Sequence, residues 1–447
     1  MKRVIRQFII SSLLIILMFS LQIYYNIHTF SPQNVISTIN YLSSDHYKGR
    51  LTGTLENKEV EQYIKLQFME NNLKPYMGDY TQSFKVDYPK RVKGDPSLTI
   101  TDRNGDVVKE FTYGVDYKED MLNFKNNIFS FNKENPNIVS KDNILQIKQN
   151  SDYFLFYIPQ KNDLNFRSSF MNTAQWSMCV MVTDKTLADI KAYLDQGYNI
   201  NGFIPFTTAE TNARNIMGYI EGRNKDLDPI IISSHFDHLG TDLKNTIYRG
   251  ALDNASGTSF MLELSNYITS LGKPERSILF VAFNAEEFGC VGSAEFVKKY
   301  KDNIMDSKVY NFDMIGSDKG VPLCIVGGGK DTVKTSFLNS VSQTFAAEGI
   351  HFNYLFKDDS DHKAFRENNI DAVTFCDNDT TKIHTPLDTP DLISVTAIER
   401  GFSVVSKEII GNAFNNNPLI IYYKEAFLGS AVLLISFMVF VLKRKNY

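Results

Sequence analysis

The chain has 447 residues, of which 43% are hydrophobic and 22% are charged. This balance is typical of a globular protein and excludes global disorder, and the length indicates one large domain with an insertion, or two domains. The 47 basic and 51 acidic residues give a net charge of −4. The composition therefore predicts no nucleic-acid partner, because such binding needs a strong positive field.

The N-terminal segment is apolar with a basic start. Lys2, Arg3 and Arg6 precede an uncharged run over residues 8–25. This pattern is typical of a signal peptide or of an uncleaved signal anchor, and both alternatives remain open. Since no small-x-small cleavage motif follows the run, an uncleaved anchor over residues 1–30 is the favoured prediction.

The next two segments differ in the spacing of their apolar residues. Residues 31–85 carry apolar side chains at helical spacing in two stretches, and we predict that they form the first part of the main domain. Residues 86–205 contain short apolar runs separated by Asn, Asp, Gly and Pro, which is typical of β-structure. We predict that this second segment is an inserted, β-rich lid domain.

Strand-like and helix-like patterns alternate over residues 206–415. Short apolar runs at 229–233, 277–283, 309–314, 322–326 and 372–376 predict buried strands, and helical patterns lie between them. The alternation predicts an α/β domain with a doubly wound, mostly parallel sheet and helices on both faces.

The C-terminal segment mirrors the first. Residues 426–442 are uncharged, and the basic cluster 443–445 follows at once. We predict a transmembrane helix over 424–442 and a cytoplasmic tail over 443–447. The same charge rule places an uncleaved N-terminus in the cytoplasm, so the region between the two anchors is expected on the extracellular side of the cell membrane.

Histidine and carboxylate side chains follow the predicted strands of the α/β domain. In open α/β sheets, ligand sites lie beyond the carboxyl ends of the strands, so we expect these residues to share one location. Imidazole and carboxylate ligands suit zinc. The candidates are His235, Asp237, Asp253, Glu286, Glu287, Asp313 and His384.

Cysteine is not expected to be a ligand in this site. Cys179, Cys290, Cys324 and Cys376 are widely spaced and form no Cys-x-x-Cys pair, which argues against a thiolate zinc site. Three disulfide pairings are possible and the sequence does not choose between them, but we expect buried free thiols.

Individual candidates have structural alternatives. In the adjacent pair Glu286 and Glu287, one carboxylate can bind metal while the other acts as a general base, but an acidic helix start gives the same pattern. Asp253 precedes a predicted helix and can be a simple cap. Asp313 lies in an apolar strand, where a lone carboxylate is costly unless it is paired or metal-bound.

Seven segments carry a family resemblance. They resemble the di-zinc aminopeptidase family, which includes bacterial leucyl aminopeptidases and, more distantly, glutamate carboxypeptidase and glutaminyl cyclase. In that comparison, residues 86–205 correspond to a protease-associated-like lid. The matching segments are residues 215–222, 235–240, 250–257, 284–289, 311–316, 360–365 and 384–389.

The resemblance implies two zinc ions per chain. His235 and Asp313 would hold one ion, Glu287 and His384 the other, and Asp253 would bridge both. The likeness also implies that the other two candidates act without binding metal.

The remaining roles follow from the same resemblance. Glu286 would be the general base and Asp237 would orient His235. The implied function is a membrane-anchored extracellular aminopeptidase that acts on peptides with a free N-terminus. Its oligomeric state is not predicted.

One position departs from the family pattern. Several relatives carry a tyrosine directly before the last histidine ligand, where it helps to stabilise the oxyanion, but this chain has Ile383. Tyr354 is a candidate substitute. The alternative functions are a non-catalytic receptor or scaffold on the same fold, a one-zinc glutaminyl cyclase, and a carboxypeptidase.

Overall fold

The structure is a computed structural model that describes residues 2–135, 137–317, 322–415, 420 and 422–445. The helices are α1 (Lys2–Asn26), α2 (Pro32–Leu42), α3 (Leu55–Glu70), α4 (Asp184–Asp195), α5 (Gly257–Ser270), α6 (Val291–Tyr300), α7 (Ser336–Ala347), α8 (His362–Arg366), α9 (Val395–Ala413) and α10 (Tyr423–Lys445).

The strands belong to three sheets. In chain order they are β1 (Thr81–Arg91), β2 (Ser97–Thr101), β3 (Val107–Glu110), β4 (Tyr117–Phe124), β5 (Ile128–Phe131), β6 (Ile138–Lys141), β7 (Ile144–Gln149), β8 (Asp152–Tyr157), β9 (Met178–Val182), β10 (Asn199–Phe203), β11 (Phe206–Ile220), β12 (Ile230–His235), β13 (Ile278–Phe283), β14 (Lys308–Phe312), β15 (Leu323–Gly327), β16 (Phe352–Phe356) and β17 (Asp371–Cys376).

The largest sheet has eight strands in the order β1-β11-β13-β12-β14-β17-β15-β16. Its centre, β13-β12-β14-β17, is parallel, whereas β1, β11 and β15 join it through antiparallel pairs. The predicted α/β fold with a large sheet is confirmed, and four of the seven strand pairs of this sheet are parallel. The sequence predicts β15 at residues 322–326 but does not single out β1 or β11, because β1 alternates polar and apolar residues and the first half of β11 is largely polar, unlike the buried central strands.

Helices cover both faces of this sheet. Ile230 and Ile232 of β12 belong to the core beneath α2, α3, α5, α7 and α9. Ile231 points the other way and packs with residues of α6 and α8. Because the strand is buried on both faces, its sequence is a continuous apolar run.

The chain leaves the large sheet after β1 and returns to it in β11, which is the neighbour of β1 in the sheet. The two strands pair antiparallel from Thr81↔Ile216 to Arg91↔Phe206. Between them lie a four-stranded sheet, β3-β2-β10-β5, a five-stranded sheet, β4-β9-β8-β7-β6, and the helix α4. The segment is therefore β-rich, and its identity as a protease-associated-like lid stays a prediction.

The two terminal helices pack against each other. Among the described residues, Val4–Asn26 is the one helical stretch that is long and apolar enough to cross a membrane. The Tyr24 and Phe427 rings lie 5.7 Å apart, and the Arg6 guanidinium lies 5.8 Å from the Phe437 ring, so α1 and α10 run antiparallel. The side chains of residues 440–447 lie outside the description, so the predicted C-terminal span over 424–442 is described only in part.

The four cysteines are buried free thiols, as the sequence predicts. Cys324 and Cys376 lie opposite each other on β15 and β17.

The buried Glu61 of α3 makes the stability of this fold depend on pH. Its Oε1 accepts hydrogen bonds from the Arg214 backbone N–H and the Asn284 Nδ2, both at 3.1 Å. Burial raises the pKa of Glu61 to about 7, although the Arg214 guanidinium opposes this. Because the folded-state pKa exceeds the unfolded one, the stability contributed by the proton is present at low pH and is lost as pH rises toward 7.

Glu61→Gln is therefore expected to stabilise the protein, relative to the native chain, by about 2 kcal/mol more at pH 8 than at pH 5. Urea unfolding of the detergent-solubilised chain at both pH values measures this difference. Glu70→Gln, at an exposed position of the same helix, is the control. An equal effect of Glu61→Gln at the two pH values would contradict the assignment.

Candidate metal centre

The candidate residues meet at one edge of the large sheet. His235 ends β12, and Asp313 directly follows β14. Glu286 lies three residues past the end of β13, and His384 lies in the loop after β17. Because β13, β12, β14 and β17 are adjacent and parallel, their carboxyl ends bring these side chains together, as the strand-end reasoning expects.

Asp253 lies between two clusters of nitrogen and oxygen atoms. In one cluster, the His235 Nε2 lies 3.5 Å from the Asp253 Oδ1 and 3.4 Å from the Asp313 Oδ1. In the other, the His384 Nε2 lies 3.3 Å from the Asp253 Oδ2 and 3.5 Å from the Glu287 Oε2. The two oxygens of one carboxylate therefore face two different histidines.

The spacing of these atoms fits zinc. Ligand atoms about 2.0–2.1 Å from a tetrahedral zinc ion lie about 3.3 Å from one another. The four nitrogen–oxygen distances, 3.3 to 3.5 Å, agree with this value. In addition, the Asp313 Oδ1 is buried and accepts no hydrogen bond from the described residues. A buried carboxylate oxygen of this kind is costly unless a cation compensates it.

The surroundings of the clusters are strongly negative. Burial opposes protonation of His384, but the Glu287 and Asp253 carboxylates outweigh it and raise the pKa of His384 to about 9. Burial raises the pKa of the Glu286 carboxyl well above its usual range, and the Glu287 carboxylate adds to this effect. The two shifts reflect a desolvated site in which several carboxylates lie close together, and a metal cation would neutralise their charge.

Comparison with known proteins assigns the family. Residues 215–409 match the family described as peptidase family M28. These residues are an M28 peptidase domain. The aminopeptidase YwaD of Bacillus subtilis (strain 168) is 30% identical over 213 residues, which are 44% of this chain and 44% of YwaD. A vacuolar membrane protease of Lodderomyces elongisporus is 28% identical over 173 residues, which are 36% of this chain and 16% of that protein.

The fold of most of the chain is also shared. BSAP, a zinc aminopeptidase from Bacillus subtilis, superposes with a TM-score of 0.60 at 18% identity, over 87% of this chain and 97% of BSAP. This likeness shows the fold. The chain spans less than half the length of the two curated relatives described above.

The turn that contains Asp253 of the M28 domain is held in place by hydrogen bonds to Asp388 and Arg50. The Asp388 carboxylate accepts hydrogen bonds from the backbone N–H groups of Leu252 and Asp253 at 2.8 and 3.0 Å. The buried Arg50 guanidinium donates to the carbonyls of Gly250 and Asp253. Gly250 has a φ of 56°, and a Cβ there would lie 2.2 Å from the Asp253 carbonyl oxygen. The turn therefore requires glycine at this position.

Asp237 anchors the turn that carries the two glutamates. Its carboxylate accepts hydrogen bonds from the backbone N–H groups of Glu286 and Glu287 at 3.1 and 3.2 Å. The sequence also predicts a contact between Asp237 and His235, and the Asp237 Oδ1 lies 3.8 Å from the His235 Nδ1. This distance suits an ion pair but exceeds that of a hydrogen bond. Asp237 thus positions the glutamates directly and influences His235 through charge.

Two further residues contact the predicted ligands. The His238 Nδ1 lies 2.8 Å from the Glu287 Oε1. His238, Asp253 and Glu287 together form a possible metal-binding group, which is an alternative to the cluster that contains His384. The Ser360 hydroxyl donates to the Asp313 Oδ2 at 2.7 Å. Both residues lie in segments that carry the family resemblance, but their sequence positions alone gave no reason to separate them from ordinary loop residues.

The site opens into a cavity of about 340 Å³. The cavity is lined by candidate ligands and by Met314, Val326, Leu355 and Ile383, which belong to one apolar cluster. Tyr354, the predicted substitute for the missing tyrosine, packs against the main hydrophobic core and does not line this cavity. The prediction for Tyr354 is wrong because successive side chains of β16 point to opposite faces.

Proposed function

We propose that the M28 domain is a two-zinc aminopeptidase that removes N-terminal residues from peptides. The observation that carries this proposal is the position of Asp253, whose two carboxylate oxygens face His235 and His384 from 3.5 and 3.3 Å. A single carboxylate shared by two His-containing clusters suits a pair of metal ions. The aminopeptidase names of YwaD and BSAP support the same reaction class.

Each metal ion would have its own ligands besides the shared Asp253. His235 and Asp313 would hold one ion, and Glu287 and His384 would hold the other. Zinc bound in such a site lowers the pKa of water and polarises a carbonyl group. The protein holds the ligands in place through backbone turns, so the arrangement exists before substrate arrives.

Glu286 is the proposed general base. Its Oε2 lies 3.8 Å from the His235 Nε2, farther than the oxygens of Asp253 and Asp313, and its side chain is 12% exposed toward the cavity. This position leaves the carboxylate free to take a proton from the attacking water. The same carboxyl then delivers that proton to the leaving amine.

The charge of the cavity favours substrates with a free amino terminus. Asp358 and Asp359 are not among the proposed zinc ligands and line the cavity, as does the single lysine Lys363. A protonated amine would be attracted by the carboxylates of Asp358 and Asp359, whereas an acylated amine loses this attraction.

A hydrolysis panel tests the proposal. Full-length protein in detergent is offered aminoacyl substrates with free or N-acetylated amino groups, C-terminally blocked peptides, and peptides with N-terminal glutamine. We expect cleavage of the free amino substrates with zinc present. Equal cleavage of acetylated substrates, release of C-terminal residues, or conversion of glutamine without hydrolysis would each refute the aminopeptidase assignment.

We also propose that α1 and α10 anchor the domain in the cell membrane with both termini in the cytoplasm and the M28 domain outside. The antiparallel packing of α1 and α10 supports termini on one side, and the name of the vacuolar membrane protease supports a membrane setting. Protease added to intact cells should cut the exposed surface of the inserted segment. Protection of that surface until the cells are lysed would refute this topology.

A further inference from the structure

A loop of the inserted segment reaches the proposed second metal site. The loop connects β8 to β9, far from the M28 match in sequence. The Arg167 backbone N–H donates to the His384 carbonyl at 3.0 Å, and the His384 Nδ1 lies 3.1 Å from the Arg167 carbonyl oxygen. A proton on Nδ1 that is held by this carbonyl leaves Nε2 free to bind a metal ion.

The same loop holds the other ligand of that site. The Ser169 hydroxyl donates to the Glu287 Oε2 at 2.6 Å, and the Phe170 backbone N–H donates to the Glu287 carbonyl at 2.9 Å. The Glu287 Oε2 is also the oxygen that lies 3.5 Å from the His384 Nε2. Ser169 therefore fixes the oxygen that faces the proposed ion.

Buried contacts from the inserted segment and from the M28 domain hold this loop in place. The carboxylate of Asp120 in β4 accepts hydrogen bonds from the Ser168 backbone N–H at 2.8 Å and from the Ser168 hydroxyl at 2.9 Å. The Arg167 side chain is fully buried, with its guanidinium 5.4 Å from the Tyr248 ring and 3.9 Å from the Glu119 carboxylate. Asp120 and Glu119 belong to the inserted segment and Tyr248 belongs to the M28 domain, so both parts of the chain hold the loop, and none of these contacts involves a metal ion.

We infer that the inserted segment completes the second metal site, with Ser169 as a positioning residue for Glu287 and the Arg167 carbonyl as a positioning group for His384. This inference rests on the proposed two-zinc function. Among the described residues, the side-chain hydrogen bond to the Asp313 carboxylate comes from Ser360 of the M28 domain and not from the inserted segment. Loss of the Ser169 hydroxyl should therefore weaken one zinc site selectively.

The test measures zinc affinity in full-length protein purified in detergent. Zinc stoichiometry and the dissociation constants of both ions are obtained by competition with a chromogenic chelator. Ser169→Ala is expected to weaken one site by about 10- to 100-fold and to leave the other unchanged, as removal of an outer hydrogen-bond partner of a ligand does. Ser169→Thr, which keeps the hydroxyl, should restore most of the affinity. Ser130→Ala is the control, because Ser130 is an exposed serine of the same segment that bonds to Asn201.

Two results would overturn the inference. Unchanged affinities in Ser169→Ala would show that the hydroxyl does not support the site, and equal loss at both sites with a lowered unfolding midpoint would mark a purely structural role. A wild-type chain that binds only one zinc ion would instead refute the proposed two-zinc function, and this inference with it.

Discussion

Glu286→Gln is expected to lower kcat by about 10²- to 10⁴-fold while both zinc ions remain bound, because glutamine cannot accept the proton of the attacking water. The Glu286 Oε2 lies 3.8 Å from the His235 Nε2, farther than the oxygens of the proposed ligands Asp253 and Asp313. The substitution preserves the size of the side chain and the backbone hydrogen bond to Asp237. The measurements are kcat on a free aminoacyl substrate and zinc per chain by elemental analysis.

The control for this experiment is Glu399→Gln, at an exposed position of α9, which should leave kcat unchanged. Two outcomes contradict the role of Glu286. Activity within a few-fold of the native chain would show that another group accepts the proton, and loss of zinc would show that Glu286 is a ligand.

Asp253→Asn is expected to weaken both zinc sites by more than about 100-fold, because loss of a direct shared ligand should exceed the cost of losing an outer partner. The Asp253 side chain faces His235 through one oxygen and His384 through the other. Asparagine keeps the shape but replaces one oxygen by a donor that cannot bind a cation, and its remaining amide oxygen is uncharged and therefore a weaker zinc ligand than a carboxylate oxygen, so both sites should lose affinity. Zinc affinity is measured by chelator competition, and activity should be lost in parallel.

Asp302→Asn provides the matched control, since Asp302 is an exposed aspartate of the same domain. Loss of one zinc ion with full retention of the other would contradict the bridging role. It would instead favour the alternative group of His238, Asp253 and Glu287 as a separate site.

The location of the site could be predicted because its chemistry follows the strands. The apolar runs before His235, Glu286 and Asp313 are long enough to read as buried strands, and all of them are central strands of the sheet. Parallel strands place their carboxyl ends at one edge, so the polar residues after them must converge. The roles of the individual residues needed the family resemblance, because spacing alone does not separate a ligand from a base.

Contacts from distant parts of the chain could not be predicted. Ser169 and Arg167 lie more than one hundred residues before Glu287 and His384, and no periodic pattern links them. Asp237 likewise holds the glutamate turn through backbone N–H groups, which a sequence does not reveal. Tyr354 was misplaced because the register of an edge strand decides which face a side chain occupies.

The inserted segment changes how the site is understood. It supplies hydrogen bonds to Glu287 and His384, whereas Asp313 receives its bond from Ser360. The two proposed metal sites therefore depend on different parts of the chain. A change that disturbs the inserted segment should act first on the site of Glu287 and His384.

A zinc titration of metal-free, full-length protein tests the two-metal proposal most directly. Hydrolysis of a free aminoacyl substrate is followed as zinc is added, with its N-acetylated form as a blank. We predict no hydrolysis without metal and a rate that reaches its plateau at two zinc ions per chain. A full rate without metal, or a plateau at one zinc ion per chain, would contradict the proposal.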